Sequence, residues 1–305
     1  MVACGLAGVG TTRDPWRVGR LIFHIAEAGD WDAALETGGY RTSTRGRTLD
    51  EVGFIHASHR HQVERVANAA YSDVEPLVLL AIDPARLGGT ELREESGGGA
   101  ETFPHLYGPL PIDAVVHVEP FAPGPGGLFV PPTSWLSPKL VPGPSPIEGT
   151  GLFATSPIAV DEPVAVMGGE VMTDEEFTRH VVGLDRYSAA AIGESINIVQ
   201  DLDDPLSCGN HSCQPNLWMA DELTLVARHP VSPGEEVTVD YALMTVAEAW
   251  SMDCRCALPA CRATITGADW RRPDLQDRYG GHFSPFIERR IGTPLTGSGR
   301  RDGQL

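Results

Sequence analysis

Five of the six cysteines fall in two short pieces, CGNHSCQPN at 208–216 and DCRCALPAC at 253–261. The second piece supplies Cys254, Cys256 and Cys261 in a C-x-C-x4-C spacing. Three thiolates so close in sequence can bind one tetrahedral Zn2+ ion at about 2.3 Å each, and a closed structural site needs a fourth ligand. Cys213 is the natural candidate, because a short polar loop such as NHSCQPN can aim one thiolate outward. Cys208 competes with it, and spacing alone does not choose between them. The bland alternative is a set of buried free thiols.

The elements that would carry these loops read as short strands. GLFATSPI, EPVAVMGGEV, SINIVQDL, LTLVARHPV and EEVTVDYAL are each bounded by Gly, Pro or Asp. TDEEFTRHVV reads as a helix with Thr173 as N-cap and Glu176 completing a capping box. A further helix is expected around ADWRRPDLQDRY. Upstream lies a Pro/Gly stretch, nine prolines in the 27 residues 120–146, which rules out a helix or a central strand there. Before it, RLIFHIA, GFIHAS, LVLLAID and AVVHVEPF read as strands. AEAGDWDAALETGGY reads as a helix capped by Asp30 and stopped at Gly38–Gly39, and HRHQVERVANAAY as another.

At 305 residues the chain is long enough for two domains. The expected division is a disordered lead or over-extended start over 1–17, an N-terminal domain over 18–122, a linker over 123–135, a second domain over 136–251, a metal motif with a C-terminal helix over 252–291, and a disordered tail over 292–305. The formal charge is −18, and both halves are acidic. Phosphate-backbone binding needs clustered Lys and Arg, so the balance argues against direct nucleic-acid binding and favours a basic polypeptide partner. Lys139 is the only lysine against 22 arginines, a bias that a GC-rich genome explains. No apolar run is long enough to span a membrane, and the N-terminus is a poor signal peptide. A cytoplasmic protein is expected, in which a metal site suits the cysteines better than a disulfide framework.

Four stretches occur in order: SPIEGTGLF at 145–153, GNHSCQPN, GEEVTVDY and DCRCALPAC. Together they resemble the SET-domain protein lysine methyltransferases with a post-SET zinc motif, over about 136–266. The resemblance implies an α+β protein: a small mixed α/β N-terminal domain, then a β-rich SET domain with a knot-like crossing at Pro215–Asn216 and a post-SET zinc site. It implies S-adenosyl-L-methionine and one Zn2+ as cofactors, with Cys213, Cys254, Cys256 and Cys261 as ligands. Tyr241 would be the catalytic tyrosine and Tyr187 a second channel tyrosine. Gly149, Gly151, Leu152, Asn210 and His211 would contact the cofactor. The substrate would be a lysine-containing, basic protein, whose amine must be neutral to react. On the order of one free lysine in a thousand is neutral near pH 7, so the site must favour that form by burial. Taken singly, a G-x-G is usually a turn, and the alternative for Tyr241 is a core tyrosine that closes a strand.

Two features depart from the family. Ser207-Cys208-Gly209 replaces an Arg-Phe-Ile-like stretch before Asn-His, and the chain continues past Cys261 through Trp270, Tyr279, Phe283 and Phe286. Each of those aromatics reads as packed helix core rather than channel wall. The N-terminal segments FHI, GFIHAS, LVLLAIDPARL and FPHLYGPLPIDAVV resemble a small bacterial family of unknown function, the 952 family, which is distantly similar in fold to ADP-ribosyltransferases. His24, His56, Glu101, His105 and Tyr107 are its candidate polar residues. Two further readings stand beside the methyltransferase: a non-catalytic zinc-stiffened interaction module, and an NAD-linked transferase in the N-terminal domain.

Overall fold

The structure is a computed structural model that describes residues 21–74, 76–97, 101–184 and 186–292. The expected lead with Cys4, and the tail beyond Gly292, lie outside the described residues.

The N-terminal part is built on Leu77–Ile82, an apolar run that forms the centre of a three-stranded antiparallel sheet between Ile22–Glu27 and Val115–Phe121. Its side chains alternate between two cores, as a strand covered on both faces requires. Leu80 and Ile82 meet Trp31 and Ala34 of the helix Ala28–Thr37. Leu79 and Ala81 meet Val63 and Ala67 of the helix Val63–Ala70. The first helix starts at Ala28 after Glu27, so Asp30 is not its cap; it lies in the first turn, where its charge is favourable at the positive end of the helix dipole. Gly38 ends that helix in the left-handed conformation at φ 82°. This part also holds a second three-stranded sheet, Ile55–His56, Thr102–Tyr107 and Glu91–Ser96, and two two-stranded ones, Gly39–Tyr40 with Leu110–Pro111 and Thr42–Thr44 with Arg47–Thr48.

The Pro/Gly stretch is anchored at Phe129, which is 1% exposed and packs into the N-terminal core. The Asn68 amide holds its backbone in both directions, donating to the carbonyl at 3.0 Å and accepting from the N–H at 2.8 Å.

The C-terminal part holds two four-stranded sheets and a three-stranded one around one large core. EPVAVMGGEV, expected as one strand, is two in different sheets, Pro163–Val166 and Glu170–Thr173. The break is at Gly168, where a Cβ would lie 2.2 Å from the backbone of Thr133. The Thr173–Glu176 capping box forms and starts the helix Asp174–Val181. Trp270, Tyr279, Phe283 and Phe286 are all buried in the core, with the helices Pro273–Tyr279 and Pro285–Gly292. The helical region expected up to residue 291 is thus two helices, and sequence reading missed the strand Ser188–Gly193, whose Ala-rich composition is a poor strand signal. Among the described residues no helix is long and apolar enough to cross a membrane.

Candidate active site and metal centre

Two strands distant in sequence bring the motifs together. Asn210–His211 runs parallel to Glu236–Val239, with Asn210 opposite Thr238 and His211 opposite Val239. A parallel pair cannot be closed by a hairpin, so this contact depends on the long connection between them. Asn216 clamps the arrangement. Its amide donates to the Glu236 carbonyl at 2.8 Å and accepts from the Thr238 N–H at 2.8 Å.

Tyr241 starts the turn that follows the Glu236–Val239 strand. Asp240 caps this turn by accepting from the Ala242 N–H at 3.0 Å. The Tyr241 hydroxyl donates to the Gly209 carbonyl at 2.8 Å, and its backbone N–H donates to His211 Nδ1 at 3.2 Å. Burial pushes the phenol up to about 12, so it stays protonated at neutral pH. His211 is 3% exposed, and burial holds it down to about 4 despite the nearby Asp240. Its neutral ring accepts at Nδ1, which places the proton on Nε2, 3.5 Å from Cys213 Sγ. Within the Ser207–Gly209 departure, Gly209 contributes its backbone carbonyl to the Tyr241 hydroxyl.

The G-T-G turn joins the same corner. Gly149 has φ 49°, in the left-handed region. Gly151 has no room for a side chain, since a Cβ would lie 2.0 Å from Glu236 Oε1. Asn210 Nδ2 donates to the carbonyls of Glu148 at 3.1 Å and Thr150 at 3.2 Å, and to Glu236 Oε1 at 2.8 Å. The other Glu236 oxygen accepts from the Ser145 hydroxyl at 2.9 Å. Glu236 thus stitches three segments, a role the sequence reading missed because only the register Phe153 opposite Glu236 creates it. Leu152 points its side chain into the core at 2% exposure, so only its backbone borders the turn. Tyr187 stands apart: it is 38% exposed and meets Phe177 edge-on at 5.6 Å.

The sulfurs of Cys213, Cys254, Cys256 and Cys261 all lie within 4.8 Å of one another. Cys213 and Cys254 are 3.8 Å apart, the edge of a sulfur tetrahedron with bonds of about 2.3 Å. Backbone N–H groups point at three of them: Cys256 to Cys254 Sγ at 3.5 Å, Arg262 to Cys213 Sγ at 3.3 Å and Ala263 to Cys261 Sγ at 3.4 Å. Such donors favour thiolates. Burial nevertheless holds the Cys213 and Cys254 thiols up, so four thiolates need a cation among them. The donor set fits a single metal ion. Cys208 lies in the main core, outside this group.

In the N-terminal part His24 is fixed between the Tyr40 hydroxyl at 2.9 Å and the His56 carbonyl at 2.6 Å, and burial lowers it to about 4. His105 Nδ1 and the Tyr107 hydroxyl share Glu95 Oε2, each at 2.8 Å, with Phe54 stacked on His105 at 4.1 Å. The carboxylate joining them is therefore Glu95, which the sequence reading passed over. Glu101 pairs instead with Arg65 and His61.

Residues 149–242 match the family model of the SET domain, and residues 25–118 match "Protein of unknown function (DUF952)". The histone-lysine N-methyltransferase ash1 of Drosophila melanogaster is 29% identical over 136 residues, 41% of this chain and 6% of its own length. The Drosophila histone-lysine N-methyltransferase SETD1 is 31% identical over 141 residues, 40% of this chain and 8% of its own. The chain thus spans under a tenth of these curated relatives. Among solved structures, a Caulobacter crescentus protein is 32% identical, covering 35% of this chain and 91% of its own, with a TM-score of 0.32. The methyltransferase domain of human SETMAR is 23% identical, covering 38% of this chain and 53% of its own, also with a TM-score of 0.32.

Proposed function

We propose, for a chain whose residues 149–242 form a SET domain, that it is an S-adenosyl-L-methionine-dependent protein lysine N-methyltransferase with a structural zinc. The observation that carries this reading is the parallel pair that sets Asn210–His211 beside the strand leading to Tyr241, with the His211 and Tyr241 rings 5.2 Å apart. The cofactor, when bound, supplies an activated methyl group on a sulfonium. Gly149, the backbone around Gly151, Asn210 and His211 would hold it. Their character suits a cation: His211 stays neutral, and carbonyls and the Glu236 carboxylate gather at the turn.

Tyr241 acts by position. Its proton is committed to Gly209, which leaves oxygen lone pairs to orient an incoming amine. Burial keeps the phenol protonated, so it is no general base at neutral pH. The amine must lose its own proton to solvent before it reacts. Tyr187, on the exposed loop near the Asp174–Val181 helix, would meet the substrate chain rather than the cofactor. Cys213, Cys254, Cys256 and Cys261 would bind one Zn2+ and order the segment after Trp250.

A basic, lysine-containing protein suits the −18 charge. The chain itself offers little competition, because Lys139 Nζ is paired with Glu162 at 2.6 Å and donates to the Pro157 carbonyl at 3.0 Å. The test is calorimetry with S-adenosylhomocysteine, followed by methyl transfer to a lysine-rich polypeptide. Micromolar binding is expected, lost in Asn210→Ala and retained in Tyr241→Phe, while turnover in Tyr241→Phe falls at least about a hundredfold. No binding by the zinc-loaded protein, with or without peptide, would sink the reading.

A further inference from the structure

We propose that Arg262 is a positioning residue that ties occupancy of the four-cysteine metal site to the placement of Tyr241. The proposal rests on the reading above for the metal and for the tyrosine.

Arg262 belongs to both sites at once. Its backbone lies between Cys261 and Ala263, and its N–H donates to Cys213 Sγ at 3.3 Å. Ala263 is in the left-handed region at φ 63°, unusual for a residue with a Cβ, and its carbonyl accepts from the Cys254 N–H at 2.7 Å. The chain therefore wraps tightly around the sulfurs at this point. The Arg262 side chain leaves that turn inward and is 6% exposed. Nη1 donates to Asp240 Oδ2 at 2.8 Å and Nη2 to Asp240 Oδ1 at 2.7 Å, while Nε lies 3.2 Å from Asp269 Oδ2. Asp240 is completely buried, and it immediately precedes Tyr241. It also accepts from the Ala242 N–H at 3.0 Å and the Tyr279 hydroxyl at 3.1 Å.

These contacts close a circuit. One arm runs from Cys213 through His211 to the Tyr241 N–H. The other runs from Cys213 and Cys261 through Arg262 and Asp240 to the same residue. The second arm carries the electrostatic weight. A buried carboxylate needs its guanidinium, because removal of one partner leaves an uncompensated charge in a low dielectric. The guanidinium can reach Asp240 only while the 261–263 turn keeps its shape. That turn closes around four sulfurs, which a shared cation would hold together by its bonds. Loss of the metal should therefore open the turn, withdraw the guanidinium, and free the Asp240 cap that starts the Tyr241 turn.

The experiment follows backbone hydrogen exchange in two windows, residues 238–244 and 254–266, in wild type and in Arg262→Met and Arg262→Lys. Chelating the metal from the wild type should accelerate exchange at least tenfold in both windows. Metal-loaded Arg262→Met should keep one ion per chain and a protected 254–266 window, yet exchange fast at 238–244. Arg262→Lys, with a charge but no bidentate fork, should fall between. Turnover should fall in Arg262→Met by more than S-adenosylhomocysteine affinity does. Protection of 238–244 that survives chelation in the wild type, or that is unchanged in loaded Arg262→Met, overturns the relay. The wild-type arm needs no variant, so a misfolded variant leaves the test intact. Exchange needs no cofactor, so a chain that binds no S-adenosylhomocysteine but shows coupled windows refutes the enzymatic reading and keeps the relay. A wild type that holds no metal overturns both the premise and the relay.

Discussion

Replacing Gly151 by alanine probes the corner where the G-T-G turn, Asn210 and Glu236 meet. The new methyl would lie 2.0 Å from Glu236 Oε1, 2.6 Å from its Cδ and 3.1 Å from Ser145 Cβ. Carbon and oxygen do not approach so closely, so the carboxylate must withdraw. It would then lose the Ser145 hydroxyl at 2.9 Å and the Asn210 amide at 2.8 Å. Each such bond to a charged group contributes about 1.5–3 kcal/mol, and the low end applies because Glu236 is only half-buried and water replaces part of the loss. Two bonds then total about 3 kcal/mol. Loss of glycine's freedom in the unfolded chain returns about 0.4–1 kcal/mol, which leaves a net destabilisation of about 2 kcal/mol. Urea unfolding measures it, in a double-mutant cycle with Glu236→Ala. In that background the obstruction is gone, and Gly151→Ala should cost under about 0.5 kcal/mol, a coupling that exceeds the usual additivity error. An equal cost in both backgrounds, or none in the first, would refute the account of Gly151 as space reserved for Glu236.

Three further outcomes are expected. His24 is held at about 4 in the folded state against 6.5 when unfolded, so the unfolded chain takes up its proton first as pH falls. His24 should contribute nothing above pH 6.5 and a decline of about 1.4 kcal/mol per unit from there to about pH 4, and His24→Gln should remove that share of the slope measured by urea midpoints. Chelation should release one metal per chain and make Cys213, Cys254, Cys256 and Cys261 newly reactive to a thiol reagent, whereas Cys256→Ser should weaken metal retention without unfolding the main core, from which the small Ile265 cluster is separate. Asn68→Ala should remove both bonds to the Phe129 backbone and speed proteolysis within residues 121–134, with methyl transfer unchanged.

Much of this protein could be read from its residues in a row. The C-x-C-x4-C spacing announced a cluster of sulfurs because thiols close in sequence are forced close in space. The Thr173–Glu176 box announced a helix start because capping is a contact over three residues. LVLLAID announced a buried strand because a strand covered on both faces must be apolar throughout. What stayed hidden depends on register and on long connections. Spacing could not choose Cys213 over Cys208; the parallel pairing that turns Cys213 toward the later cysteines, and leaves Cys208 in the main core, made the choice. Asp30 looked like a cap, but the chain enters the helix two residues earlier. Glu95, Glu236 and Arg262 carried no signal of their own, because each is one charged residue among many until the fold sets it opposite a partner. Local chemistry is written in neighbouring residues, whereas the contacts that tune it join residues far apart in the chain, and only the closed tertiary structure decides which of those meet.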